Sequence, residues 1–124
     1  MLGNQKLVAF VPVRNADAAR GFYRDTLGLH LTYEDGFALV FDVQGVMLRV
    51  TLVGDFQPQR FTVLGWQVTD AIAFAHQLTA AGIQIERFPG LEQDEHGLWH
   101  APGGAKIAWF KDPDGNVLSI SQHP

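Results

Sequence analysis

Two rhythms alternate along the chain, one of short apolar runs and one of apolar residues three and four positions apart. Leu7 to Val13 is a β-rich run that Pro12 places at a sheet edge or strand end. Asn15, a good helix cap, precedes Ala16, Ala19, Phe22, Tyr23 and Leu27 at helical spacing, and Gly28 stops that helix. Three further strands are expected at Leu29 to Glu34, Phe37 to Val43 and Val46 to Val53, joined by tight turns at Asp35-Gly36 and Gln44-Gly45. A polar, proline-bearing connector from Gly54 to Arg60 follows, and then the order starts again. Phe61 to Val68 reads as a strand. Thr69 or Asp70 caps a helix whose apolar side holds Phe74, Leu78 and Ala81, and Gly82 stops it. Ile83 to Phe88, Ala105 to Lys111 and Val117 to Gln122 complete the second set, with Asp112-Pro113-Asp114-Gly115-Asn116 as the last turn.

This order predicts an α+β fold of two tandem βαβββ modules forming a curled mixed sheet around a central cleft. A single domain over residues 1–124 is expected, with module one at about 1–55, a connector at about 54–60 and module two at about 61–124. Val13-Arg14-Asn15 matches Val68-Thr69-Asp70 at an offset of 55, whereas Gly45 matches Gly115 at an offset of 70, so the second copy carries 15 extra residues. The glycine- and proline-rich stretch from Pro89 to Gly104 is the natural place for most of them, and loops of that length are usually functional or mobile.

Composition narrows the functions such a fold can have. With no cysteine, the chain has no disulfides, thiolate metal sites or cysteine nucleophile. A net charge of −4 argues against a phosphate-binding surface, so no nucleic-acid partner is expected. The apolar stretches fall short of a membrane span. The start, Met-Leu-Gly-Asn-Gln-Lys, lacks the apolar core of a signal peptide, so no membrane partner and a cytoplasmic location are expected.

Three segments carry a resemblance. Phe22-Tyr23-Arg24-Asp25-Thr26-Leu27-Gly28-Leu29, Leu64-Gly65-Trp66-Gln67-Val68 and Trp109-Phe110-Lys111-Asp112-Pro113-Asp114-Gly115-Asn116 resemble the vicinal oxygen chelate superfamily. That superfamily includes glyoxalase I, extradiol dioxygenases, fosfomycin-resistance proteins and bleomycin-resistance binding proteins. Residue by residue, the Phe-Tyr pair and Leu-Gly read as a buried helix face with its cap, and the Asp-Pro-Asp-Gly-Asn run reads as a hairpin turn.

The resemblance implies a test for metal. Metal-using members place a His or Gln early in the first strand of each copy and a Glu in each last strand, where a divalent ion keeps open positions for substrate oxygens. Seven residues before Asn15 and Asp70 stand Val8 and Val63; four residues after Gly45 and Gly115 stand Arg49 and Ser119. None is a usual ligand, and the neighbours Leu7, Ala9, Leu48, Leu64 and Leu118 are apolar, so a slip of one residue does not restore the site. No metal site and no cofactor are expected. A divalent metal enters only under an alternative in which His96 and His100, in a loop with Glu92, Asp94 and Glu95, supply displaced ligands. Gly97 and Pro102 disfavour aligning those two imidazoles on a helix. His76 is expected on the exposed side of its helix and His123 beside the C-terminus, while His30 has no evident partner.

Strand phase turns Met47, Arg49 and Thr51 toward the cleft and packs Leu48, Val50 and Leu52 under the helix. A guanidinium there keeps its proton and needs a partner, either an internal carboxylate such as Asp42 or an anionic ligand held by two hydrogen bonds. Phe10, Val40, Gly65, Gln67, Val117 and Ser121 share that parity, and Trp109 or Trp99 are available as aromatic walls. The expected ligand-binding residues are Arg49, Phe10, Met47, Thr51, Gln67, Trp99, His100, Trp109 and Ser119, with no catalytic residue assigned. The first reading is a metal-independent protein that binds a small molecule, with an anionic group at Arg49. The alternatives are a glyoxalase I-like lyase or dioxygenase using displaced metal ligands, and a dimeric interaction module without a ligand. A homodimer is expected in either case where strand edges are exposed.

Overall fold

In the first half, β1 (Val8–Val13) lies parallel to β4 (Val46–Leu52), β4 pairs antiparallel with β3 (Ala38–Val43), and β3 pairs antiparallel with β2 (His30–Glu34). A computed structural model describes residues 1–124, and the chain divides into two units, Met1–Gln57 and Pro58–Pro124. In unit one, alternation along the strands sends Val11, Val13, Leu39, Phe41, Leu48 and Val50 to one face, where all are buried. The helical segment supplies Ala19 and Tyr23 to this core, and the Tyr23 ring lies 6.2 Å from that of Phe41. Each such apolar side chain, taken fully from water, contributes about 1.5–3 kcal/mol.

Asn15 caps α1 (Ala16–Arg20), its side chain accepting the Ala18 N–H at 2.9 Å. The helix expected as far as Leu27 does not stay α-helical. It widens into a π-helical turn over Gly21–Thr26, with the Leu27 N–H reaching the Phe22 carbonyl five residues back at 2.8 Å. Gly28 ends it at φ 76°, a conformation in which a side chain would be strained. The β3–β4 turn takes positive φ at both Gln44 (49°) and Gly45 (84°), the handedness that lets a two-residue hairpin follow the twist of its strands.

Unit two repeats the plan with β5 (Thr62–Gln67), α2 (Ala71–Ala80), β6 (Trp99–His100), β7 (Lys106–Lys111) and β8 (Val117–Gln122), in the order β5-β8-β7-β6. The α+β class and the two βαβββ-like modules are as the pattern predicted. Ala108, Phe110, Leu118 and Ile120 are buried on the face covered by α2. Asp70, not Thr69, caps α2, accepting the Ala73 N–H at 3.0 Å. At the other end Ile83 N–H bonds Leu78 O at 2.9 Å and Gly82 N–H bonds Thr79 O at 3.0 Å, with Gly82 at φ 87° and Ile83 buried behind it. The buried side of α2 is corrected to Ala71 and Ala75. Phe74 and Ala81 are exposed, while Leu78 is half-buried, because the stripe facing the sheet runs through positions 71, 75 and 78 at i, i+4 and i+7.

The strand expected at Ile83 to Phe88 is also corrected. Only Glu86 pairs there, in a single bridge to Trp109. The Gln93 side chain takes the backbone groups a neighbouring strand would have used, accepting from Phe88 N–H and donating to Glu86 O, both at 2.9 Å. The edge strand is β6 instead, drawn from the Pro89 to Gly104 stretch. The last turn is structural, as read: Asp112 Oδ1 accepts from the N–H groups of Asp114 and Asn116 at 2.9 Å, and both Asp112 and Asn116 are buried. No helix is long and apolar enough to cross a membrane.

Candidate functional site

Each sheet has a second face that its helix leaves open, and cross-strand pairing fixes what stands on it. In unit one the pairs Phe10↔Arg49, Arg49↔Val40 and Val40↔Tyr33 set Phe10, Arg49, Val40 and Tyr33 in one row across all four strands. The next row is Val8, Met47, Asp42 and His30, and Thr51 stands on the other side of Arg49 beside Pro12 and Ala38. The structure thus brings Phe10, Met47, Arg49 and Thr51 together on one face. That face stays open, with Phe10 60% and Tyr33 58% exposed, and mixes apolar side chains with Arg49, Asp42 and His30.

Arg49 is half-buried in the centre of its row, flanked by Phe10 and Val40. Its Nη1 lies 4.0 Å from Met47 Sδ, and no carboxylate is within ion-pair distance. Asp42, the internal partner considered from the sequence, does not fill that role: its Oδ1 accepts the Gly45 N–H at 3.2 Å and holds the hairpin turn. Arg49 still acts at longer range on Asp35. That carboxyl is held below its usual range, chiefly by the N–H groups of Phe37 and Ala38, with a smaller pull from the Arg49 charge. Beside this row opens a concavity of about 390 Å³ lined by Lys6, Leu7, Val8, Thr32, Val40, Phe41, Asp42, Gly45 and Met47, with Arg49 just outside it. Tyr33 carried no sequence signal, because only the register of β2 against β3 reveals which row it joins, and Lys6 lines the concavity from the segment just before β1.

In unit two the corresponding rows are Gly65, Ser119, Trp109 and Glu86, and then Gln67, Ser121, Ile107 and Trp99. Trp109 is the centre of an aromatic group, with the Phe88 ring edge-on at 5.5 Å and Trp99 at 6.3 Å, and its Nε1 donates to Thr62 Oγ1 at 2.9 Å. Gln67, Trp99, Trp109 and Ser119 therefore share one face. His100 does not join them. It alternates to the other side of β6 from Trp99, and its Nε2 lies 2.8 Å from Asp94 Oδ2. Phe88 and Thr62 escaped the sequence reading, the latter because β5 has a bulge between Thr62 and Leu64 that inserts Val63 and brings Thr62 opposite Val117.

The four positions that the resemblance singled out for a metal offer it nothing. Val8 and Val63 have no donor atom, Arg49 is a cation, and Ser119 brings one nearly buried hydroxyl. No three His, Asp or Glu side chains gather as a metal set anywhere in the chain. His96 and His100, the displaced ligands of the alternative, engage different partners: His96 bonds His76, and His100 bonds Asp94.

A helix-backed sheet of one parallel and two antiparallel pairings, built twice, with an open face opposite the helix in each, defines a paired βαβββ class. The Glyoxalase/Bleomycin resistance protein/Dioxygenase superfamily model matches residues 6–120, and the chain belongs to that superfamily. Its fold is similar to lactoylglutathione lyase from Agrobacterium tumefaciens, with 18% identity, a TM-score of 0.76, and coverage of 96% of this chain and 93% of that one. It is also similar to the bleomycin resistance determinant encoded on transposon Tn5, with 22% identity, a TM-score of 0.74, and coverage of 97% and 98%. A third likeness is to the fosfomycin resistance protein FosX from Listeria monocytogenes, with 12% identity, a TM-score of 0.73, and coverage of 95% and 92%. At these identities the likenesses establish the fold alone. Comparison with curated proteins gives no match.

Proposed function

We propose that the protein binds a small molecule without a metal ion, directing an anionic group of that ligand to Arg49 and resting its apolar part on Phe10, Met47 and Val40. The observation that carries this reading is a half-buried guanidinium with no carboxylate partner, flanked in its row by Phe10 and Val40, on a face whose one carboxylate, Asp42, is bonded to the hairpin turn instead. A half-buried guanidinium without a carboxylate partner is ready to take an anion, and a carboxylate or phosphonate accepting two of its N–H bonds is held there with fixed geometry. The adjoining concavity is of the size that takes a small ligand, and Lys6 adds a second cation at its rim. Relatives whose printed names specify a lyase and two antibiotic-resistance proteins fit a scaffold that hosts small-molecule sites of several kinds.

A thermal-shift screen of small carboxylates, phosphonates and their aromatic derivatives tests the reading. Anionic compounds should raise the midpoint of unfolding while their neutral amides or esters do not. A panel in which neutral analogues stabilise as well as the anions would remove Arg49 from the account. The screen is run in chelator and repeated with added manganese, nickel or zinc. Stabilisation that appears only with metal would return the divalent-metal reading to first place.

A further inference from the structure

On the helix-covered side of unit two, two histidines 20 residues apart in sequence meet. His76 projects from α2, and His96 sits in the loop before β6. His76 Nε2 and His96 Nδ1 are 3.1 Å apart, with ring centroids at 5.0 Å and planes inclined by 59°. Two nitrogens each held about 2.0–2.1 Å from one ion stand roughly 2.9 Å apart at a right angle and about 3.3 Å apart at the tetrahedral angle. The observed separation falls between the two. The far nitrogen of His96, Nε2, faces Glu95 Oε1 at 3.5 Å. That carboxylate lies on the side of the ring away from His76, where a carboxylate commonly stands behind a metal-bound imidazole.

The loop holds His96 in place before any ion arrives. Asp94 Oδ1 accepts the N–H groups of His96 and Leu98 at 2.9 Å, the Arg87 guanidinium donates to Asp94 O at 2.8 Å, and Leu98 is fully buried. Gly97 packs so tightly that a Cβ there would lie 2.4 Å from Ile85 Cγ2. In front of the two rings lies an open hollow of about 510 Å³ bordered by Thr79, Ile85, Arg87 and Glu95, which leaves room for waters or a small ligand to complete a coordination sphere.

We propose that His76 and His96 form a two-imidazole site for a borderline divalent transition ion, with copper(II) held most tightly and nickel(II) and zinc(II) less so. Glu95 is its positioning residue. The site is separate from the sheet face that carries Arg49, and each stands or falls without the other.

Titration of the metal-free protein with copper(II), followed by calorimetry and by electron paramagnetic resonance, tests the assignment. Wild type is expected to take up one ion per chain with a spectrum of two nitrogen donors. H76Q and H96Q should each weaken binding by tenfold or more and lose one nitrogen from the spectrum. E95Q should weaken it by less, and H100Q and H123Q should leave it unchanged. Both rings reach solvent, so the variants are expected to fold, which circular dichroism checks. Failure of wild type to bind one equivalent overturns the proposal, as does a two-nitrogen signal that survives H76Q or disappears in H100Q.

Discussion

Arg49 and Ser119 occupy the same place in the two units, the centre of the strand that pairs with both the first strand and the next hairpin strand. Their surroundings differ in one respect that decides what each can do. Arg49 lies between Phe10 and Val40 on an open face, whereas Ser119 lies between Gly65 and Trp109 and is nearly buried. A Cβ at residue 65 would come within 2.6 Å of Ser119 Oγ, so the glycine there makes room for the hydroxyl. One unit has turned the shared position into a cation, the other into a closely packed floor beside an aromatic wall. A duplicated frame can thus keep its core and turns while the chemistry of matched positions diverges completely.

The largest effects should fall on the core that the units share in kind. Phe41→Ala in unit one and Phe110→Ala in unit two each remove a fully buried ring and are expected to cost about 3–5 kcal/mol in urea unfolding. A loss under about 1 kcal/mol in either would show that the units are not built alike. The glycines come next, and here the units should part. Gly97→Ala meets both a positive φ and the Ile85 side chain and should cost about 2–3 kcal/mol, while Gly45→Ala, with open space around it, should cost about 1 kcal/mol. The turn carboxylates give a smaller contrast. Asp112→Ala leaves several buried partners unsatisfied, at about 1–3 kcal/mol, whereas Asp42→Ala loses one exposed bond to Gly45 and should stay within about 1 kcal/mol.

The smallest effect is in acid. The Asp35 carboxyl is lowered by the N–H groups of Phe37 and Ala38, so its contribution to unit one is complete above the ordinary carboxylate range and fades as the pH falls through its lowered value. Asp35→Asn should flatten stability against pH below about pH 4. An unchanged acid limb would mean the turn is held by other bonds.

Much of the frame could be read from residue pattern: both caps, both stop glycines, the final turn and the parity that gathers Phe10, Met47, Arg49 and Thr51. What escaped did so where side chains took over backbone roles. Gln93 occupies the backbone groups of Glu86 and Phe88, so an apolar run that looks like a strand contributes a single bridge. The bulge in β5 shifts Thr62 to the Trp109 ring, which no alternation rule foresees. His76 and His96 meet where the loop, tied by Asp94 and Arg87, comes back to α2, a long-range contact that spacing does not encode.

The central claim is that Arg49 is the anion anchor, and calorimetric titration of the best anionic ligand from the screen into wild type and Arg49→Met tests it most directly. Methionine keeps the length and apolar stem while removing the charge. The account predicts a loss of tenfold or more in affinity, with the fold intact by circular dichroism. Equal affinity for wild type and Arg49→Met would contradict it.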